Sequence, residues 1–174
     1  MRRLILLRHA KSDHPPGVAD LDRPLDARGR RDGPRIGAVL VADGLVPEHV
    51  FVSPARRTQE TWALVREHLG SLEAETVPSI YEAAASRLLA AIHSAPDTAG
   101  SLMMIGHNPG FQKLGLSLAG TGEPEALATL RDNLPTAAVA VIDFPEAESW
   151  EAVAPGTGRL VRLILPRTLA EEEA

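Results

Sequence analysis

The sequence contains no cysteine among its 174 residues. That absence removes disulfide stapling, thiolate metal sites and cysteine nucleophiles, and it makes redox chemistry an unpromising reading. Aromatic residues are scarce as well, at 3%, so Leu, Val, Ile and Ala must fill the core. Trp62 and Trp150 then read as core or sheet-face packing rather than as a ligand platform. A long N-terminal apolar run is also missing. Arg2 and Arg3 precede Leu4 to Leu7, but this run ends at Arg8 and His9 and is too short for a signal peptide or a membrane span. The expectation is a soluble cytoplasmic chain with no membrane partner.

Length and charge narrow the reading. A chain of 174 residues with 44% hydrophobic and 24% charged residues suits one globular domain, expected over residues 1–168, with an acidic, frayed tail over 169–174. The formal net charge of −5 argues against nucleic-acid binding, which needs accumulated cations. Yet nine of the 18 basic residues fall within the first 35 positions. A local cationic site on an acidic chain suits a small anionic group, although Arg28, Arg30, Arg31 and Arg35 also fit a solvated helix face.

Leu4 to Leu7 reads as a central buried strand ending in the polar pair Arg8-His9. Ile36, Val39 and Leu40 carry helical spacing up to Gly44, and Pro34 predicts a helix that is kinked or begins near Asp32. Val50 to Val52 reads as a second strand. Ser53-Pro54 supplies an N-cap with proline at the first helical position, opening a helix to about Leu69. A short strand around Glu75 to Val77 and a helix from about Ser86 to Ser94 follow. Ser101 to Ile105 is a further buried strand, after which Asn108 is expected to cap a helix with Pro109 in its first turn. Ala138 to Phe144, Trp150 to Val153 and Leu160 to Leu165 read as strands of an antiparallel extension, and Gly156-Thr157-Gly158 as a hairpin turn.

The alternation predicts an α/β fold with a mostly parallel central sheet and an antiparallel edge. In such sheets ligands bind beyond the carboxyl ends of the strands. Arg8-His9, the segment Ser53 to Arg57, and His107 all fall at such ends, so they are expected to converge on one crevice. Two histidines and two arginines without cysteine suit phosphoryl transfer, in which charge spreads over the equatorial oxygens and catalysis is mainly positioning and fixed positive charge. Arg8, Arg57 and His107 would hold phosphate oxygens, each donor being worth roughly 2–4 kcal/mol of barrier. His9, neutral near pH 7, would attack phosphorus. The arginines should depress both imidazoles unless a bound dianion compensates. His14, His49, His68 and His93 lack metal-ligand spacing, so no metal or cofactor is expected.

These residues carry a resemblance. Leu7-Arg8-His9-Ala10 resembles the Arg-His-Gly signature of the histidine phosphatase superfamily, whose histidine becomes phosphorylated. Ser53-Pro54-Ala55-Arg56-Arg57-Thr58-Gln59-Glu60-Thr61 looks like its second motif, in which the position of Arg57 binds phosphate. Gly106-His107-Asn108-Pro109-Gly110 looks like the segment with its second active-site histidine. The resemblance implies a three-layer α/β/α, phosphoglycerate mutase-like fold. Leu7-Arg8-His9-Ala10-Lys11-Ser12 and Asp22-Arg23-Pro24-Leu25-Asp26-Ala27-Arg28-Gly29 bring the chain nearest to small bacterial SixA-type phosphohistidine phosphatases. That implies a phosphorylated protein, such as a histidine phosphotransfer domain, as substrate.

Ala10 stands where the family pattern has glycine and should be tolerated if its backbone angles are ordinary. Glu82 looks like the nearest equivalent of the family's general acid, or else it is a solvated helix-start residue. Arg56 is expected to face away from Arg57. Arg23 either reaches the substrate or pairs with Asp20 or Asp22. The competing functions are a phosphomonoesterase for a small phosphate ester, a phosphate-binding protein without turnover and, more distantly, a mutase, which would need a closed site.

Overall fold

The computed structural model describes residues 1–173. Its strands are β1 (Arg2–Arg8), β2 (His49–Val52), β3 (Glu75–Thr76), β4 (Ser101–Gly106), β5 (Ala119–Gly122), β6 (Val139–Phe144) and β7 (Gly158–Ile164). They form one sheet in the order β3-β2-β4-β1-β6-β7-β5. β3, β2, β4 and β1 run parallel, β6 runs antiparallel to both β1 and β7, and β5 lies parallel to β7. The mostly parallel sheet and its antiparallel extension are therefore as expected; β5 has no counterpart among the expected strands.

Period-two burial in β1 explains the three layers. Leu4 and Leu6 join a core beneath α3 (Ala85–His93), α4 (Gly110–Leu118) and α5 (Pro124–Asp132). Ile5 and Leu7 join a second core beneath α1 (Ala27–Ala42), α2 (Arg56–Arg66) and α6 (Pro166–Glu173). All four side chains are fully buried, each contributing about 1.5–3 kcal/mol by removal from water. Trp62 and Trp150 are both core residues. Among the described residues no helix is long and apolar enough to cross a membrane.

Four local expectations are corrected. Of the two alternatives for α1, the start near Asp32 is overturned: the helix begins at Ala27 and carries Pro34 inside it, because the Asp26 side chain accepts from the Gly29 N–H and fixes an earlier start. α2 begins at Arg56, not after Ser53, with Ala55 at the cap position; the Ser53 hydroxyl is shared between the Ala55 N–H and His107 Nε2. Trp150 to Val153 is not a strand: the Trp150 N–H donates to Asp97 and its indole to the Ala99 carbonyl, which pins the segment as a turn. Residues 169–173, expected to fray, complete α6, where Arg35 Nε meets Glu173 Oε2 at 2.8 Å. Ala174, the end of that expected tail, lies outside the described residues.

Candidate active site

Register carries the site. Arg8 on β1 pairs with Gly106 on β4, and Ile105 on β4 pairs with Val52 on β2. His9, His107 and the Ser53–Arg57 turn consequently leave adjacent parallel strands side by side, at the carboxyl ends where such sheets bind ligands. His9, His107 and, from that turn, Arg57 line a cleft of about 240 Å³ together with Arg8, Lys11, Ser12, His14, Arg23, Glu82, Asn108 and Thr136.

Backbone contacts hold His9 tightly. Its N–H donates to the Gly106 carbonyl, and the Ala137 N–H is shared by the Arg8 and His9 carbonyls. Ala137 accepts a left-handed conformation, φ 62°, to do so, a strain of about 1–2 kcal/mol for a residue with a Cβ. The His9 ring places Nδ1 2.8 Å from the Ala10 carbonyl. A carbonyl only accepts, so Nδ1 carries the hydrogen and Nε2 keeps its lone pair. The Ala10 methyl is buried in the core under α1 and α2 and does not line the cleft, so the departure from glycine costs the site no room.

His107 is wired at both nitrogens. Nδ1 accepts from Arg57 Nη2 at 3.3 Å, and Nε2 donates to Ser53 Oγ at 2.8 Å. Its ring lies 5.4 Å from that of His9, and Tyr81 packs edge-on against it. The segment around it needs glycine for space. A Cβ on Gly110 would lie 2.1 Å from the Ala83 carbonyl, so that glycine lets the loop bearing Glu82 approach the start of α4. α4 itself starts at Gly110, with Pro109 at the cap position, correcting the expected Asn108 cap; the Asn108 side chain still accepts from the Gln112 N–H.

Burial and charge both act on these rings. Desolvation, ahead of the charges of Arg57, Arg8 and Arg23, lowers His9 to about 4, opposed by the bond to Ala10. Desolvation, then Arg57 and His9, lowers His107 to about 3. Both imidazoles are thus neutral near pH 7 in the free protein, and the protonated His107 of the sequence reading requires an added anion.

Arg57 is almost fully buried. Nη1 donates to the Asp20 carbonyl at 2.8 Å; Nη2 faces Asp20 Oδ2 at 3.1 Å and Glu82 Oε1 at 3.2 Å. Arg8 Nη1 donates to the Leu134 carbonyl. The Nε atoms of both arginines are buried without a partner among the described residues. Glu82 lies in the loop before α3, not at a helix start, with φ 46°. Arg23 pairs with Asp20 at 3.1 Å, as in one of its readings, and lines the cleft, where it also donates to Ser12 Oγ. Arg56 is exposed, pairs with Glu60 and lies outside the cleft.

Several site residues escaped the sequence reading. Asp20, weighed only as a partner of Arg23, accepts from Tyr81, Arg57 and Arg23, and these bonds, led by that of Tyr81, hold its carboxyl far below the usual range. Thr61 accepts from the Ala10 N–H and donates to the Arg57 carbonyl, tying the loop after β1 to α2. Leu134 offers one carbonyl to both Arg8 and Asn108. Ser53 and Thr61 belonged to the recognised motif and were findable there; a backbone carbonyl such as that of Leu134 leaves no residue-type signal.

The model of the histidine phosphatase superfamily (branch 1) matches residues 4–101, more than half of the chain. An uncharacterized protein of Mycobacterium tuberculosis is 34% identical over 164 residues, covering 92% of this chain and all of that one. The fold is similar to solved structures of SixA proteins from Agrobacterium tumefaciens (25% identity, TM-score 0.78, covering 95% of this chain and 98% of that one) and Nakamurella multipartitia (26%, TM-score 0.76, covering 95% and 96%). The chain belongs to the histidine phosphatase superfamily, and its fold is SixA-like.

Proposed function

We propose that this chain is a metal-independent phosphatase that takes a phosphoryl group onto His9 Nε2, from phosphohistidine displayed on a protein such as a histidine phosphotransfer domain. The observation that carries this reading is the His9 ring, neutral, tautomerically fixed by Ala10 and lining a cleft with Arg8 and Arg57. Guanidinium groups are natural donors to phosphoryl oxygens.

In the first step the Nε2 lone pair attacks phosphorus, and the P–N bond of the substrate breaks with its electron pair going to the leaving nitrogen. A phosphoimidazole protonated on its other nitrogen departs as neutral imidazole, so it needs little acid. A phosphate ester departs as an alkoxide or phenoxide and would draw a proton from Glu82. Positive charge on phosphorylated His9 is stabilised by the Nδ1–H bond to Ala10. In the second step water attacks phosphorus, the P–Nε2 bond breaks, and His9 recovers its lone pair as the water proton passes to Glu82 or solvent. Arg8, Arg57 and His107 would hold the equatorial oxygens in both steps, with Arg23 at the rim. A bound dianion would raise the affinity of His107 for a proton.

The preference for a protein substrate is supported by end-to-end similarity to small SixA structures. The test is phosphate release, in chelator, from a phosphohistidine-bearing phosphotransfer domain and from an aryl phosphate, by wild type and His9→Ala. Release that survives the chelator and vanishes with the substitution supports the chemistry, and the ratio of kcat/KM values decides the substrate. A higher value for the aryl phosphate would favour a small-molecule phosphomonoesterase. Phosphate binding without turnover of either compound would favour a binding protein.

A further inference from the structure

Arg57 presents its N–H groups in one rigid plane, so its use to a phosphoryl group depends on how that plane is turned. Nη2 meets three acceptors: Asp20 Oδ2 at 3.1 Å, Glu82 Oε1 at 3.2 Å and His107 Nδ1 at 3.3 Å. Its hydrogens are fewer than these acceptors, so it cannot satisfy them all at once. The orientation of the guanidinium is decided by which acceptor is itself fixed.

Glu82 is the loose one. Among the described residues its carboxylate has no hydrogen-bond partner but Arg57. Asp20 is held from several sides. It lies in a short 3-10 helix, Asp20–Asp22, between β1 and α1. Its Oδ2 also accepts from the Tyr81 hydroxyl, and its Oδ1 accepts from Arg23 Nε at 3.1 Å. Its backbone carbonyl accepts from Arg57 Nη1 at 2.8 Å. One residue thus takes both Nη atoms of Arg57, and a planar group gripped at two atoms has its plane set. Asp20 itself does not line the cleft.

On charge alone this neighbour is a handicap. An ionised carboxylate beside Arg57 offsets the guanidinium charge and repels an incoming dianion. The carboxyl of Asp20 stays ionised near pH 7, held far below its usual range chiefly by the bond from Tyr81. Orientation acts in the opposite direction: a donor aimed in advance loses little freedom on binding, and a misplacement of about 1 Å can cost about 10²-fold in rate.

We propose that Asp20 is a positioning residue, which from outside the cleft sets the plane of Arg57 so that its remaining N–H groups meet the phosphoryl oxygens. When the phosphoryl group arrives, Glu82 and not Asp20 gives up its hold on Nη2. The proposal rests on the reading of the cleft as a phosphoryl site and is independent of which substrate carries the group.

The experiment measures binding of inorganic phosphate by calorimetry and kcat on an aryl phosphate and on a phosphohistidine-bearing phosphotransfer domain. Asp20→Ala should weaken phosphate about tenfold and lower kcat about 10²-fold on both substrates alike, because Arg57 serves the group in transit and not the leaving group. Asp20→Asn, which keeps an oxygen for Nη2, should recover at least about fivefold of that loss in kcat. Asp22→Ala removes the same charge from an exposed side chain two residues along and should stay within about twofold of wild type. In an Arg57→Ala background, Asp20→Ala should cost less than about threefold in kcat/KM, since its route is through Arg57. Unchanged or tighter phosphate binding by Asp20→Ala would overturn the proposal, as would no recovery in Asp20→Asn. A full loss on top of Arg57→Ala would also overturn it, assigning Asp20 to general support of the loop. Wild type that binds phosphate but turns over neither substrate would overturn the phosphatase reading, and the binding comparison would still decide Asp20. Neither binding nor turnover by wild type would overturn both.

Discussion

His9 and His107 leave adjacent strands, lie 5.4 Å apart between ring centroids and are both driven below the ordinary histidine value, chiefly by desolvation. Their wiring differs. His9 spends one nitrogen on the Ala10 carbonyl and keeps the other, whereas His107 is held at both nitrogens, by Arg57 and by Ser53. Burial alone therefore does not decide which imidazole attacks. A ring with a fixed tautomer and an uncommitted lone pair is built to form a bond; a ring clamped at both ends is built to stay still and present charge when an anion arrives.

The sharpest break in that comparison is His9→Ala, which should lower turnover by at least about 10⁴-fold, as removal of a nucleophile does, in steady-state phosphate release. His107→Ala should cost about 10²–10³-fold, the scale of a lost transition-state donor, while phosphorylated His9 still forms and is seen by mass spectrometry after an alkaline quench. Glu82→Gln should separate leaving groups: about 10²-fold loss on an alkyl phosphate against a few-fold on phosphohistidine, measured as kcat.

Acid should expose the shared property of the two rings. Unfolded histidines titrate near 6.5, while the folded rings do so near 4 and 3. Between those values the unfolded chain binds protons that the folded chain refuses. Stability is then full above pH 6.5 and falls on acidification, by about 2 kcal/mol per histidine on reaching about pH 5. Urea unfolding at the two pH values checks this, and His107→Gln should remove its share of the slope. The smallest effect is expected for Arg56→Ala. Paired with Glu60 at the surface, Arg56 should leave kcat/KM within about twofold of wild type, in contrast to its buried neighbour Arg57.

Much of this was legible in the chain. The apolar runs at Leu4, Val50 and Ser101 lead into Arg8-His9, Ser53 and Gly106-His107, and parallel strands place such ends together, so convergence of His9, Arg57 and His107 followed from pattern. The partners that tune them did not. Ser53 has the residue type and position of a helix cap, and its hydroxyl does accept from the Ala55 N–H, but the shorter bond is to the distant His107, reached only by folding. Asp20 looked like a local partner for Arg23, yet it also secures Arg57 and Tyr81. Trp150 sits in a strand-like run, but bonds to Asp97 and Ala99 outweigh local propensity. Local signals select elements; long-range hydrogen bonds decide where an element starts and what a site residue is free to do.

The most direct test of the account is to react the full chain briefly with a phosphohistidine-bearing phosphotransfer domain, quench in alkali and locate the phosphoryl group by peptide mass spectrometry. The account predicts a transient phosphoryl group on the peptide containing His9, absent from His9→Ala and increased when hydrolysis is slowed. Turnover with the phosphoryl group on His107, or on neither histidine, would contradict it.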